Sequence, residues 1–169
     1  MARPPVPHPT SAPVEIRVAE VDFHILGEDS DKARLKAACA LIEQAFLAGE
    51  RVLVWLDDAQ AMTAFDNLLW TFGDQSFVPH ELLGADPRSS EAPVQLSCAN
   101  PLPGSVFDAA FSTLVSLRAT PDVAALRFAR VVEVIDADAT RRASGRERFR
   151  FYREHGAIPT HHELKPRNG

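Results

Sequence analysis

From Ile16 to Leu26 apolar positions first alternate with polar ones and then run together up to Gly27, the pattern of a β-strand. The spacing then lengthens. Leu35, Ala38, Cys39, Ile42, Ala45, Phe46 and Gly49 recur at the 3.6-residue period, with Lys32, Lys36 and Glu43 on the opposite side. This predicts an amphipathic helix that Ser30 caps and Gly49 ends. Arg51 to Leu56 is a short continuous apolar run, as expected of a strand covered on both faces. After Asp57 and Asp58, the residues Ala61, Met62, Phe65, Leu68, Leu69 and Phe72 return to helical spacing. Strand, helix, strand, helix favours a right-handed crossover and a parallel strand pair.

The second half is less regular. A loop is expected from about Gly73 to Pro93, holding Ser76-Phe77-Val78-Pro79-His80, and a third strand from Pro93 to Cys98. Val106 to Leu117 fits either a strand flanked by turns or a short helix, and is read here as a strand. A short helix begun at Pro121 covers Asp122 to Arg130, and Val131 to Ile135 is a strand. Asp136 or Asp138 then caps a last helix running to about His155, which Gly156 closes. The whole predicts a three-layer α/β domain over 16–156 with a mostly parallel or mixed central sheet. Pro4, Pro5, Pro7, Pro9 and Pro13 mark residues 1–15 as an extended, disordered leader, and 157–169, containing HHELKPRNG, as a loose tail.

Composition narrows the class. The 169 residues are 46% hydrophobic, enough for one core. No run of about 18 apolar residues exists to span a membrane. The first residues lack the apolar stretch of a secretory signal. Cys39 and Cys98 both sit in apolar stretches, as small buried hydrophobes of a reducing, cytoplasmic compartment do. The net charge of −5 is uneven. Six arginines face one acid, Glu147, between Arg141 and Arg153, whereas the remainder carries twelve basic and twenty-two acidic residues. Positive charge held in one segment suits a small acidic partner better than a long nucleic acid.

Signatures of chemistry are sparse. Neither GxGxxG nor GxxxxGK[ST] occurs, so no phosphate cradle is predicted, and there is no GxSxG elbow. Asp57 and Asp58 stand where a strand end meets a helix start and could hold a divalent cation, which would make a metal-dependent hydrolase. The plainer reading is helix capping. His161, His162 and Glu163 lack a third anchored ligand at matching spacing. Cys39 falls on a buried helix face, where a thiol is inert. No cofactor or metal is expected.

Two features remain. On the last helix, Arg142, Arg146, Phe149, Arg150 and Arg153 fall within about 100° of one another, a cationic stripe with an aromatic ring inside it. Arginine captures carboxylates bidentately, so an acidic peptide with a terminal carboxylate and an apolar last residue would suit it. A direct DNA-binding helix is the alternative, which the acidic remainder of the chain opposes. An ordinary solvated face with Phe149 turned inward fits the spacing equally well. The second feature is Trp70, off the apolar face of its helix, followed by Phe77-Val78-Pro79-His80. Aromatics beside a Pro-fixed turn are favoured at protein interfaces, although the plainer reading of the residues is a loop tucked over the sheet with Phe77 capping the core.

VDFHIL, ACALIEQAFLAGERVLVWLDD, FDNLLWTF, SFVPH and RERFRFYREHG occur in an order that resembles the chi subunit of bacterial DNA polymerase III. The resemblance covers about Val21 to Gly156, and SFVPH after LLWTF is its most specific part. It implies a Rossmann-like fold without a nucleotide site, and a non-catalytic accessory subunit of replication. Such a subunit links the clamp-loader complex, through psi, to the acidic C-terminal tail of the single-stranded DNA-binding protein; its contact with DNA is indirect. The tail site maps onto Arg142, Arg146, Phe149, Arg150 and Arg153. The psi contact, for which a helicase competes in some bacteria, maps onto Phe77 and the residues around it, Trp70, Val78, Pro79 and His80. Where the family often has Tyr-Lys or Trp-Lys, this chain has Phe149-Arg150, which keeps the aromatic-basic pairing and loses a hydroxyl.

Overall fold

β1 (Glu20–Leu26) places Val21 and Phe23 on one face of a sheet and Leu26 on the other, and this two-sided burial sets the architecture. The structure is a computed structural model that describes residues 19–83, 91–102 and 110–164. The predicted leader, residues 1–15, lies outside the described residues, as do the first positions of the predicted opening strand. α1 (Asp31–Leu47) begins where Ser30 Oγ accepts from the Ala33 amide, and it buries Ala38, Cys39, Ile42 and Ala45. Gly49, at φ 82°, turns the chain out of it. β2 (Val52–Trp55) is buried along its whole length. α2 (Ala59–Thr71) is capped by Asp58 and buries Phe65 and Leu69.

β3 (His80–Leu82), β4 (Val94–Ser97), β5 (Thr113–Ser116) and β6 (Arg130–Ile135) follow, with a 3₁₀ turn over Val123–Arg127 between the last two. α3 (Ala139–Glu154) and β7 (Ile158–Leu164) complete the described elements. The strands form one seven-stranded sheet in the order β3-β4-β2-β5-β6-β1-β7. Every pairing is parallel. Val52, Val54 and Leu56 pack under α1 and α2, while Leu53 and Trp55 face the side covered by the 3₁₀ turn and α3. Helix, sheet and helix make three layers around two apolar cores, a Rossmann-like arrangement.

The structure corrects four expectations. β1 and β2 are parallel but do not pair; β5 and β6 lie between them. Sequence proximity cannot reveal this, because the chain crosses back over β2 after β4. The loop expected from Gly73 to Pro93 contains β3, a three-residue edge strand too short to display a period. The helix expected over Asp122 to Arg130 is one 3₁₀ turn capped by Asp122, whose carboxylate accepts from the Ala124 amide at 2.9 Å. The tail expected to be loose holds β7, paired with β1 from Glu20↔Ile158 to Leu26↔Leu164. β7 is polar because it is an edge strand with little to bury, so its order comes from the backbone ladder. The strand read over Val106 to Leu117 is present at Thr113–Ser116, and residues 103–109 lie outside the described residues.

Candidate functional site

α3 is fixed from beneath by polar groups. Asp138 caps it, accepting from the Arg141 amide at 2.8 Å. Its sheet-facing side buries Gly145, Arg148 and Tyr152. Gly145 lets the helix sit close to β6, since a Cβ there would overlap Ile135 Cδ1 and oblige that side chain to shift. Arg148 Nε donates to Glu133 Oε2 and the Tyr152 hydroxyl donates to Glu133 Oε1, both at 2.8 Å. Arg148 Nη1 also reaches the Ala119 carbonyl at 2.9 Å and Ser144 Oγ at 2.8 Å. Burial pushes the Glu133 carboxyl above its usual range against the pull of Arg148 and Tyr152. Burial, with the Glu133 charge beside it, also raises the Tyr152 phenol.

The arginines of the segment divide into two sets. Arg141 donates to both Asp136 oxygens, at 2.7 and 2.6 Å, and this pairing holds the Asp136 carboxyl below the usual carboxylate range. Arg142 is half-buried and reaches the carbonyls of Asp136 and Leu26, each at 3.3 Å. With Arg148 these are structural, so the cationic surface is smaller than the count of six arginines implies. Arg146, Arg150 and Arg153 are exposed, and no hydrogen bond or ion pair engages them among the described residues. Phe149 is half-buried, its ring centroid 5.3 Å from that of Phe23.

Beside Phe149 opens a shallow pocket of about 260 Å³, lined by Phe149, Arg153, Ala157, Ile158 and Pro159. Ile158, 74% exposed, and Pro159 come from β7 and were not singled out from the sequence. Their trace there is the apolar triplet Ala157-Ile158-Pro159 directly after Gly156. A partly apolar floor with a guanidinium at its rim can take an apolar side chain and a carboxylate together.

The second surface forms on α2 and the segment after it. Trp70 is 45% and Phe77 66% exposed, with ring centroids 5.7 Å apart. Trp70 also lies 4.0 Å from the His80 ring. His80 is buried, its ring nitrogens 2.7 Å from the Val78 carbonyl oxygen and 3.0 Å from Asp66 Oδ1. Val78 is fully buried and Pro79 half-buried. Val78 and His80 therefore shape this surface from inside, and Trp70 and Phe77 are the aromatic side chains exposed on it.

The other candidates take structural roles. Asp58 Oδ1 accepts from the Ala61 amide at 2.7 Å. Asp57 accepts from the Ala119 amide and lies 3.7 Å from Arg118 Nε, whose guanidinium covers the Trp55 ring. The two carboxylates are thus directed to different partners. His161 and Glu163 are exposed on β7, on strand positions that alternate with His162. His162 stacks on His24 at 5.3 Å and lies 3.4 Å from Asp22 Oδ1. Among the described residues no group of three or more His, Cys, Asp or Glu is placed to hold a metal ion. Burial pushes the Cys39 thiol up to about 12. No helix among the described residues is long and apolar enough to cross a membrane.

The family described as "DNA polymerase III chi subunit, HolC" matches residues 18–160. The chain is 33% identical over 147 residues to the DNA polymerase III subunit chi of Pseudomonas aeruginosa, covering 87% of this chain and 98% of that protein. It is 30% identical over 138 residues to the DNA polymerase III subunit chi of Escherichia coli, covering 79% and 90%. Among solved structures, that of T4 UvsW superposes with a TM-score of 0.57 at 9% identity, over 88% of this chain and 42% of that one, a likeness of fold.

Proposed function

The chain belongs to the DNA polymerase III chi subunit family, and from that premise we propose that it links the clamp-loader complex to the acidic C-terminal tail of the single-stranded DNA-binding protein. Membership makes it an accessory subunit of the replication machinery rather than a catalytic one. The observation that carries the tail reading is the exposed Arg153 lining the pocket beside Phe149, with Arg146 and Arg150 also exposed on α3 and none of the three engaged by a hydrogen bond or ion pair among the described residues. An apolar last side chain would enter between Phe149, Ile158 and Pro159, and its terminal carboxylate would meet Arg153. Acidic residues upstream would meet Arg146 and Arg150. Arg142 supports the site by tying α3 to β1. Trp70 and Phe77 supply a separate contact for psi, another clamp-loader subunit or a helicase, held in shape by Val78, Pro79 and His80. Contact with DNA is then indirect and the setting cytoplasmic.

The test is binding of an acidic, Phe-terminated peptide, expected at micromolar affinity, about −8 kcal/mol. Amidating its terminal carboxylate, or raising salt to about 0.5 M, should weaken it. Arg150→Ala and Arg153→Ala should each cost about tenfold, or ~1.4 kcal/mol, while the melting temperature stays unchanged. Binding indifferent to both the carboxylate and salt refutes the reading.

A further inference from the structure

The pocket beside Phe149 opens onto the start of β7, and β7 is the last strand of the sheet. Its inner side pairs with β1 over seven residues, and among the described residues no strand pairs with its outer side. An edge of this length left open is uncommon, because its unpaired N–H and C=O groups invite another strand. Pro159 fixes which groups those are. Proline has no N–H to give the ladder and is tolerated in an edge strand where its nitrogen faces away from the neighbour. Alternation then turns the backbone amides of His161 and Glu163 outward, with the carbonyls of Pro159, His161 and Glu163.

The same alternation aligns side chains. Pro159, His161 and Glu163 pair in register with Val21, Phe23 and Ile25. Val21 and Phe23 belong to the core under α3. The side chains of Pro159, His161 and Glu163 therefore stand on the α3 face of the sheet, along the outer edge, with Pro159 at the pocket.

We infer that the acidic peptide binds by strand addition: its last residue fills the Phe149 pocket and its preceding residues pair with the outer edge of β7. This rests on the tail-binding reading above. The pocket sits at the amino end of β7, so a peptide whose carboxyl end is anchored there runs antiparallel to β7. An antiparallel edge strand on an otherwise parallel sheet is a common arrangement. β7 offers about 20 Å of edge, room for about six peptide residues. The arginines of α3 supply the charge that selects an acidic occupant. Main-chain pairing supplies contact without demanding a particular sequence upstream of the last residue.

The experiment uses the full chain and a Phe-terminated acidic peptide of about nine residues, carrying a single N-methylated amide at each position in turn. Strand addition predicts losses of about fivefold at alternate amides, the worth of one hydrogen bond, and little change at those between. Amide exchange should show His161 and Glu163 protected by this peptide and not by a two-residue fragment from its carboxyl end. Carboxylate-dependent binding without that alternation overturns strand addition and leaves the pocket reading standing. Failure of the unmodified peptide to bind overturns both. Protection of His161 and Glu163 in the full chain without peptide also overturns it, since the edge would then be occupied by the chain itself.

Discussion

Arg148 Nε donates to Glu133 Oε2 across 2.8 Å, with the two side chains only 7% and 1% exposed. The pair sits between α3 and β6, so it sets the rotation of α3 about its own axis. With Arg148 held inward, Arg146, Arg150 and Arg153 are carried to the outer side and Phe149 to the flank, against Phe23. A buried ion pair of this kind is sensitive to loss of one partner, because the other charge is left without compensation.

Arg148→Met is accordingly expected to destabilise the protein by about 3–5 kcal/mol in urea denaturation. The double variant Glu133→Met with Arg148→Met should recover most of that loss, since no charge remains buried. A single variant as stable as the parent would show that the pair does not hold α3.

Gly145→Ala offers a second check on the same packing. On an exposed helix the change would stabilise by about 1 kcal/mol. Here the new methyl meets Ile135 Cδ1, so a net loss of about 1–3 kcal/mol is expected. Adding Ile135→Val should return part of it. A rise in melting temperature for Gly145→Ala alone would mean that α3 can lift from β6 freely.

Phe77 and Leu69 should separate surface from core. Phe77 is 66% exposed and Leu69 fully buried. Phe77→Ala should cost no more than about 0.5 kcal/mol of stability, and Leu69→Ala about 2–5 kcal/mol. Pull-down with the clamp-loader assembly should fail for Phe77→Ala while tail-peptide affinity is kept. A large stability loss for Phe77→Ala would place its ring in the core instead.

Acid titration should reveal the Asp136–Arg141 pair. Hydrogen bonding from Arg141 lowers the folded-state pKa of Asp136 below its ordinary value of 3.8. The unfolded state therefore takes up the proton first as pH falls. The contribution of the pair is fully present above that ordinary value and is lost as pH falls through the lowered one. Asp136→Asn should be less stable at neutral pH and should flatten the stability profile below about pH 4. An unchanged acid limb would show that the pairing does not favour the ionised carboxyl in the fold.

Local pattern determined much of this protein. Helical spacing located α1 and α2, a continuous apolar run located β2, the third strand read from Pro93 to Cys98 is β4, and Ser30, Asp58 and Gly49 stand where capping chemistry placed them. Those signals depend on neighbours a few residues apart, which the chain itself supplies. The arginine helix was legible for the same reason. Which of its arginines are exposed was not, because Asp136, Glu133 and the carbonyls that engage Arg141, Arg148 and Arg142 are brought together by folding. β7 and its share of the pocket were hidden more deeply. An edge strand buries little apolar surface, so its order comes from a backbone ladder with β1, more than a hundred residues earlier, and backbone pairing leaves no mark on side-chain pattern.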